Sequence, residues 1–287
     1  MKLIVLDFDG TMTDAEREGV PYRTGYLEDI ALLADLPVKT VLSWADEFEQ
    51  KVSEESGHFG WTFNGDIVAP AGVDPYLRIM PVSRMILDRA KLSLDETVRD
   101  RILDRILYKY NYMKTTTVFR PFARRFLLEL KKRSSVEAFV VTNSHTTPVQ
   151  NKIQSLSKDE DLDWLVRRVY GNARKYLLDT SWNDLEQPEL QLPGLNRPVH
   201  TRRKLYFDLL DELRSTYNTA WSDVIVIGDI FELDLSLPYV LGANVGLICS
   251  EHTPEYEKEF LDNSEKAKTF SSLEDALTWV DTLIVES

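Results

Sequence analysis

The sequence predicts an α/β protein, an open parallel sheet flanked by helices, with one helical domain inserted into it. Three observations predict it. Four short apolar runs, at 3–6, 138–141, 224–227 and 245–248, are near-continuous and rich in Val and Ile, and a polar residue follows each within two positions. Strands buried on both faces of a parallel sheet read this way, whereas strands with one wet face alternate. Amphipathic stretches lie between several of the runs, and strand–helix alternation builds layered α/β folds. Residues from about 16 to 117 show helical periodicity and no comparable apolar run.

Taken in order, 3–6 is the first strand. The spacing then predicts helices over 24–36, 38–55, 82–91 and 94–113. The last opens on Ser93-Leu94-Asp95-Glu96, a capping box. Residues 56–76 carry Gly57, Gly60, Gly65 and Gly72 beside Trp61, and form a loop too long to be a mere connector. Past the strand-like run 138–141 and the helix expected at 122–133, residues 166–170 read as a further strand. Residues 171–200, with Pro188, Pro193, Pro198 and Trp182, read as a hairpin-like insertion or a loose flap. A helix follows over 204–213. Ser271-Ser272-Leu273-Glu274 is a second capping box, opening a last helix through Trp279. The expected domains are therefore a core of 1–15 and 118–287, an inserted helical domain of 16–117, and a flap within the core at 171–200.

The 287 residues suffice for two domains, and 43% of them are hydrophobic, enough for a large core. Acidic residues number 47 against 34 basic, a net charge of −13, which disfavours nucleic acid or an anionic membrane surface as partner. An anionic substrate would need a local positive patch or a metal. The one cysteine, Cys249, rules out a disulfide within the chain, fits a reducing compartment, and reads as a small buried strand residue. The apolar run after Lys2 is ended by Asp7, too short for a signal peptide, and no run approaches the ~20 residues of a membrane helix. The expectation is a soluble, cytoplasmic protein.

In an open α/β sheet, ligands bind beyond the carboxyl ends of the strands. Three polar segments follow the apolar runs: Asp7-Phe8-Asp9-Gly10-Thr11, Thr142-Asn143-Ser144, and Gly228-Asp229 through Asp234. Alternation along a strand would point Asp7 and Asp9 the same way. Two such charges raise each other's pKa unless a cation lies between them, which implies a divalent metal, an acid/base couple, or both. A single Asp or Thr at a strand end is ordinarily a turn or cap residue; the concurrence of three segments favours a site. Glu232 reads as a solvated loop residue or a helix-start charge. Ser144-His145 is no triad, because adjacent residues do not present both groups to one atom. His58, His200 and His252 lack metal-ligand spacing.

The segments together resemble the haloacid dehalogenase superfamily, whose members are mostly phosphatases. Its first motif, D-x-D-x-[TV], matches Asp7-Phe8-Asp9-Gly10-Thr11. Its second, an apolar strand ending in Thr or Ser, matches Phe139-Val140-Val141-Thr142. Its fourth matches Gly228-Asp229 through Asp234. The resemblance implies a Rossmann-like doubly wound parallel core with an α-helical cap inserted between the first two motifs. It implies Asp7 as nucleophile, Asp9 as general acid and base, and Mg²⁺ held by Asp7, Asp229 and the backbone carbonyl of Asp9. Asp234 would orient the basic residue or a metal-bound water. Thr142 and Asn143 would bind phosphate together with the third-motif cation. Lys204, which opens a helix 25 residues before Asp229, ranks first for that role, with Arg203 and Lys175 as alternatives. Asp9 favours phosphate esters over carbon–halogen bonds, and the substrate class implied is a small phosphorylated metabolite. Arg17, Tyr22, Arg23, Trp61 and Arg78 are candidate contacts on the cap. A phosphotransferase, and a catalytically weak binding or regulatory protein, are the alternatives. The flap could serve the rim of the site or a homodimer contact.

Overall fold

The computed structural model describes residues 1–111 and 116–285. In chain order the strands are β1 (Lys2–Leu6), β2 (Gly60–Phe63), β3 (Asp66–Pro70), β4 (Val136–Val141), β5 (Val169–Tyr170), β6 (Glu189–Leu190), β7 (Val199–His200), β8 (Val224–Gly228), β9 (Asn244–Ile248) and β10 (Ala267–Phe270). The helices are α1 (Ala15–Leu33), α2 (Val38–Glu54), α3 (Pro75–Arg89), α4 (Glu96–Asn111), α5 (Ala123–Lys132), α6 (Thr146–Leu156), α7 (Asp163–Val166), α8 (Lys204–Thr216), α9 (Ser236–Val240), α10 (Glu255–Asp262) and α11 (Leu273–Val285). The chain divides into two compact units. The first joins Met1–Asp14, Thr62–Ala69 and Phe119–Ser287; the second joins Ala15–Trp61 and Pro70–Val118.

The first unit is built on a six-stranded sheet in the order β10-β9-β8-β1-β4-β5, every neighbouring pair parallel. Alternate residues of β1 explain its unbroken apolar sequence. Ile4 and Leu6 pack with Phe126 of α5, Ile153 of α6 and Ala276 of α11. Leu3 and Val5 pack on the opposite face with Leu210 of α8, Leu237 of α9 and Leu261 of α10. A strand with helices on both sides has no wet face on which to place a polar residue.

Several elements differ from expectation for identifiable reasons. The edge strand β10 reads Ala-Lys-Thr-Phe, with Ala267 and Phe270 buried and Lys268 exposed, so it lacks a continuous apolar run. The start of the segment expected as a strand at 166–170 is helical, and only Val169–Tyr170 pairs, with β4. Within 171–200, β6 and β7 form a short antiparallel pair, and Trp182, Leu190, Leu192 and Val199 are buried in the core. The hairpin-like reading fits this better than a loose flap. The last helix is capped one residue later than expected. Ser272 Oγ accepts from Asp275 N at 3.1 Å and donates to Asp275 Oδ2 at 2.7 Å, and the helix continues past Trp279 to Val285.

The second unit packs α1–α4 around Tyr22, Tyr26, Ile30, Val41, Phe48, Val82, Ile86 and Leu103. α1 begins at Ala15, earlier than the periodicity suggested, and runs through Pro21. α3 also begins early: Asp74 Oδ1 accepts from Tyr76 N at 2.7 Å and Leu77 N at 3.1 Å, and Pro75 occupies the first helical position, where a missing N–H costs nothing. α4 is capped by Asp95, which accepts from Thr97 N and Val98 N, and not by Ser93. Tyr112 and Met113, at the end of the helix expected there, lie outside the described residues. The long loop 56–76 holds the hairpin β2–β3. Its turn is Asn64-Gly65, both at positive φ (52° and 93°), a tight turn that matches the strand twist. Thr62–Ala69 groups with the first unit, so the insertion is not one unbroken block from 16 to 117. No helix among the described residues is long and apolar enough to cross a membrane.

Candidate active site

The carboxyl ends of β1, β4, β5 and β8 carry the polar segments. β1 stops at Leu6, so strand alternation does not extend to Asp7 and Asp9. Gly10, at φ 84°, turns the chain back, and Met12 N donates to Phe8 O at 2.8 Å. Asp7 and Asp9 therefore enter different surroundings. Asp7 is 8% exposed. Its Oδ1 accepts from Lys175 Nζ at 2.7 Å, and its Oδ2 lies 3.2 Å from Thr11 Oγ1. Asp9 instead accepts from Lys152 Nζ of α6 and from Ser144 Oγ, each at 2.6 Å.

Asp7, Asp229 and Asp234 each offer a carboxylate oxygen within 4.8 Å of the others. The chain brings them together by close approach. A Cβ on Gly10 would stand 2.0 Å from Asp229 Oδ2, and one on Gly228 would stand 2.5 Å from Asp234 Cβ. Thr11 Oγ1 lies 3.1 Å from Asp229 Oδ1 as well as 3.2 Å from Asp7 Oδ2, so one hydroxyl proton serves two carboxylates. Asp234 Oδ1 accepts from Lys175 Nζ at 2.8 Å, and its Oδ2 accepts from Ile230 N at 3.1 Å. Two of the three carboxylates, Asp7 and Asp234, thus share one ammonium. Burial pushes the Asp7 carboxyl up to about 7, with Lys175 opposing the rise and Asp234 adding to it. On Lys175 burial acts downward, but Asp234 and Asp7 outweigh it and hold the ammonium charged. The set fits a hard divalent cation: the donors are carboxylate oxygens from three residues, gathered within 4.8 Å of one another.

Lys175, not Lys204, is the cation beside Asp7. Lys204 lies on the outer face of α8, paired with Asp208 of the next turn and lying over the rings of Trp182 and Phe207. Opening a helix at a family-like spacing did not bring its side chain to the crevice. Lys175 follows β5 by a short irregular stretch, and its position after a strand's carboxyl end was the signal available. Arg203 is wholly buried, and its guanidinium is bound to two carbonyls rather than turned to the crevice. Thr142 is buried, its Oγ1 accepting from Ser144 N at 3.1 Å. Asn143 Oδ1 accepts from Lys175 N at 2.7 Å, which ties the second segment to the lysine. Glu232, expected as a solvated loop residue or a helix-start charge, lies in the first turn of a π-helix over Phe231–Leu235 but is 0% exposed, and it accepts two bonds from Arg197 of the 171–200 insertion, at 2.7 and 2.9 Å. Cys249 is half-buried just past β9.

Within the second unit, Arg78 donates to Gly72 O and Glu16, Arg23 bonds Asp46 and Glu49, and Tyr22 packs against Tyr26 and Tyr76. These three of the candidate contacts serve that unit's own structure.

The carboxylates are gathered on short turns at one end of a parallel sheet flanked by helices on both faces. A family model for haloacid dehalogenase-like hydrolases matches residues 1–236, and the chain belongs to that family. Similar solved structures include a haloacid dehalogenase-like family hydrolase from Xanthomonas campestris, 10% identical, with 100% of this chain and 97% of that one covered and a TM-score of 0.51. A conserved haloacid dehalogenase-like protein from Agrobacterium tumefaciens is 12% identical, with 99% of each chain covered and a TM-score of 0.52. A protein described as a predicted phosphoglycolate phosphatase, from Haemophilus somnus, is 15% identical, with 98% of each chain covered and a TM-score of 0.56. At these identities the likeness is one of fold. No curated protein matches the chain.

Proposed function

We propose that the protein hydrolyses a small phosphate monoester, with Asp7 as nucleophile and Asp9 as acid and base, and with Mg²⁺ as its metal. The observation that carries this reading is the buried Asp7 carboxylate, bonded to Lys175 and grouped with Asp229 and Asp234. Asp7, Asp229 and the carbonyl of Asp9 would hold the metal, with Asp234 behind them; when bound it supplies the counter-charge that lets an anionic phosphoryl group approach an anionic nucleophile.

The chain's own residues do the rest. Asp7 attacks phosphorus in line, the bond to the leaving oxygen breaks, and an aspartyl-phosphate forms. Asp9 gives the leaving oxygen its proton, then takes one from the water that cleaves the acyl-phosphate and restores Asp7. To do so it exchanges its bonds to Lys152 and Ser144 for the leaving oxygen. Lys175 uses two of its three donors on Asp7 and Asp234, leaving one for a phosphoryl oxygen. Thr142 and the N–H groups near Phe8, Asp9 and Asn143 hold the others. An acid/base Asp two residues after the nucleophile favours ester hydrolysis over carbon–halogen cleavage, for which no leaving group needs a proton. The helical unit, inserted between the first and second motifs, is read as a cap that limits substrate size.

The test is phosphate release from a panel of small phosphomonoesters, with and without Mg²⁺, by wild type and Asp7→Asn. Metal-dependent release that falls by more than about 1000-fold in a folded variant is expected. Undiminished release by the variant, or release in excess chelator, would overturn the reading. Tight binding of a panel member without turnover would favour the binding-protein alternative.

A further inference from the structure

Lys175 sits on backbone that secondary structure does not hold. Arg174 before it has φ 49° and Asn172 has φ 55°, left-handed conformations uncommon outside glycine and costing on the order of 1 kcal/mol or more each. The lysine's main chain is fastened by side chains instead. Its N–H donates to Asn143 Oδ1 at 2.7 Å, and its carbonyl accepts from Arg203 Nη1. Arg203 Nη2 donates to Val68 O of β3 at 2.9 Å, within the segment Thr62–Ala69 that belongs to the same unit. Phe63 of that segment packs edge-on against Tyr176, the residue after Lys175, with ring centroids 6.3 Å apart.

Arg203 is 0% exposed, and its hydrogen-bond partners are carbonyls, not a carboxylate. Burial lowers its guanidinium to about 10, with Glu232 and Asp234 opposing from further away. A buried charge without a directly paired counter-ion carries a desolvation cost of several kcal/mol, which a neutral side chain filling the same space would avoid. What a neutral side chain could not do is span two carbonyls with a rigid fork.

We propose that Arg203 is a positioning residue that holds Lys175 between Asp7 and Asp234 by gripping its carbonyl, and that ties the same lysine to strand β3 of the hairpin β2–β3 through Val68. The proposal rests on the reading of Lys175 as the phosphate-binding cation. It gives the middle residue of the Arg202-Arg203-Lys204 cluster a role distinct from contact with substrate.

The test is a double-mutant cycle on the full chain, with Arg203→Met and Lys175→Met alone and together. Binding of orthovanadate, a phosphate analogue, is measured by calorimetry at saturating Mg²⁺. Arg203→Met is expected to weaken vanadate binding about tenfold in the wild-type background and not at all in the Lys175→Met background, because its effect passes through that lysine. Equal weakening in both backgrounds would show a general structural role and overturn the proposal. So would unchanged binding in Arg203→Met while Lys175→Met loses affinity, which leaves the reading of Lys175 standing. If Lys175→Met binds vanadate as wild type does, both fall. Should Arg203→Met not fold, Arg203→Lys is measured the same way. It keeps the charge but not the fork, and a loss of about threefold, again absent without Lys175, is expected.

Discussion

Each unit holds a carboxylate that burial pushes upward, and the two are put to different use. Asp74, in the second unit, rises to about 6, and its oxygen accepts two N–H bonds from the first turn of its own helix. Asp7, in the first unit, rises to about 7, and its neighbours are an ammonium, a shared hydroxyl and two further carboxylates drawn from distant parts of the chain. A raised pKa alone does not mark a catalytic group. The difference lies in the partners. Asp74 is held by the local backbone of its own helix, through Tyr76 N and Leu77 N. Asp7 is held by groups that are themselves under strain or short of counter-charge.

The sharpest way to break this comparison is at Lys175. Lys175→Met leaves Asp7 and Asp234 buried without their cation, and kcat/KM should fall by at least about 100-fold. Lys204→Met, the same change at an exposed pair on α8, should alter kcat/KM less than about twofold. Comparable losses at both positions would mean that the structure has assigned the wrong lysine.

Gly10→Ala comes next. Its φ of 84° is strained for alanine, and the added Cβ would stand 2.0 Å from Asp229 Oδ2. Displacing Asp229 should weaken Mg²⁺ binding about tenfold or more, read by calorimetry on the folded variant. Unchanged metal affinity would remove Asp229 from the proposed ligand set.

The smallest effect belongs to Asp74. Its pKa is raised in the folded state, so the folded protein binds that proton more tightly than the unfolded chain. Its contribution to stability is full below about pH 4 and is lost as pH rises through about 6. Asp74→Asn keeps a good capping group without the titration. Urea midpoints at pH 4.5 and 7 should therefore fall less with rising pH in the variant than in wild type, while phosphate release stays unchanged. An equal fall in both proteins would contradict the shift.

What could be read from the sequence follows the locality of each constraint. β1, β4, β8 and β9 were legible because each is buried on both faces, which forces a continuous apolar run. β10, with only part of its length buried, carries no such run. The Asp7 turn, Thr142 and the Gly228–Asp234 loop were legible because each is fixed by a strand end and a tight turn. Lys175 was not, because its place beside Asp7 depends on Asn143 and Arg203, residues remote in sequence that hold a segment without periodicity. The burial of Glu232 is not legible for the same reason: Arg197, which pairs with its charge, comes from the insertion. The hairpin at Asn64-Gly65 was marked by a strong turn pair inside a segment dominated by glycines and aromatics, where the pair was overlooked.

The placement of β1 at the centre of the sheet bears on how the chain is made. β1 precedes both of its partners in the chain: β4 follows only after the helical insertion and β8 after much of the core as well, and Lys2 is bonded to Asp223, 221 residues on. At ~5–20 residues per second the first strand waits tens of seconds for its second neighbour. Until β4 has been made, the apolar run Leu3–Leu6 has no neighbour to pair with. Most of the second unit, by contrast, is complete once Val118 has been synthesised. The order of synthesis thus lets the helices of the insertion assemble while Asp7, at the end of β1, still lacks the groups that will surround it.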